Sequence, residues 1–114
     1  MANLPDETLT TISNLLPRLF RVINLAAAIE FNLFEQYGET EATMEELEQV
    51  NNAKERLRTL YQRLYGLVLQ VGESQPVANP ATLNLLYRAI EQAEPTAAAV
   101  EATALETKRN WNLP

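Results

Sequence analysis

Residues 53–71 read AKERLRTLYQRLYGLVLQV. Ala53, Leu57, Leu60, Leu64 and Leu67 recur at alternating spacings of four and three, the interval that lines side chains along one face of an α-helix. That face has to be buried. A second, charged face carries Lys54, Arg56, Arg58 and Arg63, which against Glu55 make a local charge of +3 and leave −9 for the remainder of a chain whose total is −6. The stretch is read as the core helix of a small interaction domain.

The chain around it has 114 residues, enough for one core and one domain, 1–114. Its 46% hydrophobic and 21% charged content is that of a soluble globular protein. The longest apolar run, Leu25 to Ile29, is five residues, whereas spanning a bilayer takes roughly 20, so no membrane segment is expected. The acidic start lacks the cationic and apolar parts of a secretory signal, and a cytoplasmic location is expected. The chain has no cysteine and no histidine, which removes thiolate chemistry and the usual neutral-pH base and metal ligand. No catalytic residue, cofactor or metal is expected.

Further out, Pro5, Asp6 and Glu7 suit a helix start, and Pro17 is expected to break that helix over Ser13 to Leu16. This gives an N-terminal arm, 1–16, followed by a helix-turn-helix core, 17–90. Phe31 to Tyr37 leaves the apolar stripe of Leu19, Phe20 and Ile23 and reads as a separate short helix ended by Gly38. Thr43 with Glu46 reads as a capping box, and Asn51-Asn52 as a turn into the central helix. Residues 67–78 leave two readings, continued helix or a short hairpin, and the hairpin is favoured. Asn79-Pro80 starts a helix with Leu83, Leu86, Tyr87 and Ile90 inward. Pro95-Thr96 punctuates the chain before a C-terminal helix, 96–110, with Trp111 docking its tail. The fold class is mainly α, a winged-helix-like domain with at most one β-hairpin.

This order of elements, AAAIEFNLFEQY, TMEEL, LRTLYQRLYGLVLQ and NPATLNLL, resembles the N-terminal dimerisation domain of S-adenosylmethionine-dependent O-methyltransferases over roughly residues 22–86. The resemblance implies a winged helix that pairs subunits and covers the substrate pocket of a separate catalytic domain. The catalytic half has no counterpart here. Gly38, Gly66 and Gly72 are the only glycines, and none sits in the glycine-rich loop that a nucleotide-type cofactor requires.

Apolar surface concentrated in the first two helices points to self-pairing or a partner protein, through Leu9, Ile12, Leu15, Leu16, Leu19, Phe20, Ile23 and Ala27. Lys54, Arg56, Arg58 and Arg63 could contact DNA or an acidic partner, as the second helix of a helix-turn-helix does. Against DNA stand the acidic total and a wing without basic residues. The acidic residues Glu35, Glu39, Glu41, Glu45, Glu46 and Glu48 are read as helix-start and surface charges, and Tyr61, Tyr65 and Tyr87 as core or interface aromatics. The expectation is a non-catalytic pairing domain, with a small DNA-binding regulator as the alternative.

Overall fold

The computed structural model describes residues 4–114, so the first three residues of the expected 1–16 arm lie outside it. Three long helices make up the fold: α1 (Asp6–Tyr37), α2 (Glu41–Glu73) and α3 (Pro80–Asn110). They form a rod of 56 × 21 × 18 Å. The short connections, residues 38–40 and 74–79, set α2 antiparallel to both neighbours. No strand occurs among the described residues.

One repeat runs through α1 and α2. The buried residues of α1 are Ile12, Leu15, Leu19, Val22, Ala26, Ile29 and Leu33, and those of α2 include Val50, Ala53, Leu57, Leu60, Leu64, Leu67 and Val71. Both sets alternate strictly between three and four, the seam of helices packed in a left-handed supercoil. In α3 the buried set is Leu86, Ala89, Ala93, Ala97, Val100, Ala104 and Thr107. The consecutive fours at Ala89, Ala93 and Ala97 are a stutter, which locally unwinds the supercoil. Four alanines in that set let α3 lie close to both partners.

The spacing of the central helix is therefore realised as read, while five expected interruptions are absent. Asn51 and Asn52 lie inside α2 on its solvent side, between buried Val50 and Ala53. Each asparagine costs about 0.7 kcal/mol in helix propensity, and burial of a single valine or leucine contributes about 1.5–3 kcal/mol. Packing wins, and the helix-turn-helix bend does not form. The same balance carries α2 through Gly66 to Glu73, where the buried pair Leu67 and Val71 keeps the helical interval; the helical reading of 67–73 holds and the hairpin over 67–78 does not. Without the bend and the wing, the winged-helix layout is not the arrangement of these three helices.

Pro17 and Pro95 both lie within continuous helix, and both are exposed. Ser13 and Glu91, whose carbonyls lose their partner four residues on, are exposed as well, so water can satisfy them. The arm, from Asp6 on, and the helix at 96–110 are thus parts of longer rods. Phe31 to Tyr37 likewise continues α1. At 32 residues, α1 is long and apolar enough to cross a membrane by length and composition, with a mean hydropathy of 1.3 over its most apolar window. Short apolar runs hid this because polar residues interrupt them.

The turn between α1 and α2 is fixed by its own chemistry. Gly38 ends α1 at φ 69°, where a side chain would be strained, and its N–H donates to Phe34 O at 2.8 Å. The capping box is one turn earlier than expected. Thr40 is the N-cap, accepting from Thr43 N at 3.1 Å, while Thr43 Oγ1 accepts from Thr40 N at 2.7 Å and donates to Gly38 O at 2.8 Å. Thr43 is buried, so its hydroxyl serves the turn and leaves Glu46 to accept a bond from Thr107 Oγ1 at 3.0 Å.

Three substitutions test this balance by urea denaturation. Leu57→Ala and Leu64→Ala, both fully buried, are expected to destabilise by about 2–5 kcal/mol each. Pro17→Ala restores a helical hydrogen bond at an exposed site and is expected to stabilise by about 1–3 kcal/mol.

Candidate functional site

The eight residues expected to form a pairing surface divide into two groups. Ile12, Leu15 and Leu19 are buried in the chain's own core, with Leu16 and Ile23 half-buried against it. The three buried residues belong to the seam with α2 and α3, and the two half-buried ones pack along its edge. Leu9, Phe20 and Ala27 remain exposed.

Two residues missing from that set complete a surface. All three phenylalanines of the chain, Phe20, Phe31 and Phe34, are solvent-facing at 61%, 65% and 48% exposure. With Asn24 and Ala27, both exposed, they fall at 20, 24, 27, 31 and 34. This is again an alternation of four and three, so α1 carries a second seam, turned outward. It runs one residue behind the buried one: Leu19 with Phe20, Ala26 with Ala27, Leu33 with Phe34. The apparent slip of apolar phase at Phe31 is the point where the outer seam becomes aromatic. Burying one phenylalanine fully contributes about 1.5–3 kcal/mol, of which the isolated chain collects only a part here.

Charges flank the outer seam. On a wheel of 100° per residue, Arg21, Ala28 and Glu35 lie along one side, Ile23 and Glu30 along the other. Arg21 and Glu35 have no ion-pair partner among the described residues. Glu30 pairs with Lys54 of α2, and both side chains are only about one-fifth exposed.

The basic residues of α2 do not share a face. Lys54 turns to α1 and Glu30, and Arg58 stands in solvent, 3.5 Å from Glu55. Arg56 and Arg63 line a cleft of about 440 Å³ between α2 and α3, and Arg63 continues into a second of about 480 Å³ beside Arg88. Arg56 and Arg63 keep one direction, and Lys54 and Arg58, four residues apart, keep another on roughly the opposite side of the helix. Tyr65 and Tyr87 are surface residues, whereas Tyr61 packs against the core. No group of three acidic side chains comes together as a metal cage among the described residues.

Ion pairs and one aromatic contact hold α1 in place. The Arg18 guanidinium reaches Glu94 at 3.0 Å and Glu101 at 3.1 Å on α3. Hydrogen bonds to Glu101 and Glu94 raise the Arg18 pKa, and the bond from Arg18 holds the Glu101 carboxyl below the usual carboxylate range despite some desolvation. At the far end Trp111 meets Tyr37 edge-on, centroids 5.1 Å apart, and Tyr37 Oη donates to Trp111 O at 2.7 Å. Trp111 docks there as expected.

Because Glu101 titrates lower in the folded chain than in the unfolded one, its pairing stabilises above the unfolded carboxylate pKa and is lost as pH falls through the folded value. Arg18→Ala is therefore expected to destabilise by about 1 kcal/mol at neutral pH, a small figure because the carboxylates are solvent-screened. The difference from the unsubstituted chain should shrink as pH drops from about 5 to about 3, read from urea melts.

No family model, no curated protein and no solved structure matches this chain. Its function has to be read from its own faces.

Proposed function

We propose that the chain is a non-catalytic protein-interaction module that docks through the outer face of α1. The observation that carries this reading is the outward seam of Phe20, Ala27, Phe31 and Phe34, apolar surface that is helical in spacing, interrupted once by Asn24 and left open by the bundle. Contiguous exposed apolar patches mark partner surfaces, and a helix with an apolar seam is recognised by another helix. The pairing role implied by the methyltransferase resemblance is kept in this form. Its winged-helix setting and its service to a methyl-transferring domain draw no support from three uninterrupted helices.

The length and apolarity of α1 also suit a bilayer. The bundle favours the docking reading, because one side of the same helix is packed by aliphatic residues of α2 and α3 and Arg18 is engaged with two carboxylates. DNA binding through α2 is the weaker alternative. Arg56 and Arg63 point along one cleft, but Lys54 is engaged with Glu30, and a protein of charge −6 repels a polyanion.

The combined substitution Phe20→Ser, Phe31→Ser and Phe34→Ser is expected to preserve the helical circular dichroism spectrum and the melting transition. In extracts of cells that make it, the unsubstituted chain should migrate well above its 12.8 kDa mass, and the triple variant at that mass. Migration of the unsubstituted chain as a free monomer, in extract and when purified, would remove the docking role. Fluorescence anisotropy with random duplex at low salt is expected to show no binding at micromolar protein.

A further inference from the structure

We infer, resting on the docking role proposed for α1, that the occupant of its outer face is a second copy of this chain, with the two α1 helices side by side and antiparallel. Three features of the face select that occupant. The first is size. From Phe20 to Phe34 the seam spans about 21 Å of helix, with the small residues Asn24, Ala27 and Ala28 between Phe20 at one end and Phe31 and Phe34 at the other. Reversing a second copy about a two-fold axis near Ala28 sets each copy's Asn24 and Ala27 against the partner's Phe34 and Phe31. Large side chains then meet small ones in the middle of the contact, as packed helices require, and Phe20 falls at its end, level with the partner's residues 36–38.

The second feature is charge. In an antiparallel pair the same flank of each helix meets, so Arg21 lies beside the partner's Glu35, and the symmetry repeats the contact at the other end. Both residues lack a partner within the chain among the described residues. A parallel pair instead brings opposite flanks together and leaves Arg21 level with the partner's Ile23, with no carboxylate beside it, while Glu30, already paired with Lys54, lies near a partner carboxylate in either direction. The Arg21–Glu35 contact therefore forms in the antiparallel direction only, and twice, as in an isologous two-fold interface.

The third feature separates a protein occupant from a lipid one. Along α1 stand Asp6, Glu7, Glu30 and Glu35 against Arg18 and Arg21, and Arg18 is held by Glu94 and Glu101. Helices that lie on a membrane surface carry Lys and Arg on their polar side, and this one is net acidic. Asn24, a polar residue within the seam, is also better placed in a helix pair, where such a residue fixes alignment at some loss of stability.

Gel filtration with light scattering on the full chain at about 100 μM is expected to give twice 12.8 kDa. Phe31→Glu, at an exposed position, should give a monomer with an unchanged melting transition. Arg21→Glu alone and Glu35→Arg alone should each weaken self-association about fivefold or more. Mixing these two variants should restore it, because every flanking pair in the mixed dimer is then Glu against Arg. A monomer at that concentration, or a dimer indifferent to both reversals and to mixing, overturns the inference. If the purified chain is a monomer yet runs in a larger complex in extract, the second copy is the wrong occupant and the docking role stands. Binding of a monomeric chain to phosphatidylglycerol vesicles, abolished by Phe31→Glu, would assign the face to lipid and overturn the inference.

Discussion

The burial of a repeating three-four seam on all three helices is the constraint from which the remaining structure follows. A single turn that left the helical path at Asn51-Asn52 would move every later aliphatic residue of α2 out of line with its neighbours. The chain accepts asparagine, glycine and proline in helix interiors instead, and keeps each where its unfavourable effect is smallest. Asn51, Asn52, Pro17 and Pro95 all face water. Local propensity is a matter of tenths of a kilocalorie for most residues, and a fully buried leucine outweighs several of them.

Polar interactions add direction to this packing. A seam of aliphatic and alanine side chains can slide by a turn with little change in buried area, particularly along α3, where four of the seven buried residues are alanine. Arg18 with Glu94 and Glu101, Lys54 with Glu30, and Tyr37 with Trp111 each join two elements at one level of the rod. Individually these are weak contacts at a wet surface. Together they set how far α1 lies along each neighbour, and so where its outer seam is presented.

Much of the fold was legible in the residues. The alternating spacing from Ala53 to Leu67, the helix start at Asn79-Pro80, the end at Gly38 and the docking of Trp111 all appear in the structure, because each depends on chemistry within a turn or two. The continuity of the rods was not legible, since the terms that override Pro17 and Asn51-Asn52 come from residues distant in sequence. The outer face was half legible. Phe20 and Ala27 stand out in the sequence, but Phe31 and Phe34 look like a change of element. Two interleaved stripes offset by one residue look like a loss of phase until the buried one is known. Comparing the spacings 19, 26, 33 and 20, 27, 34 side by side is the signal that separates them.

Three is an odd number of helices, and this decides where the chain comes and goes. Residue 6 begins α1 at one end of the bundle, and Asn110 closes α3 at the other, so most of the 56 Å length separates them. Whatever precedes or follows this stretch would be held apart by that distance. Tension applied through the two ends would act along the helix axes, loading all three seams in shear at once instead of peeling one helix away.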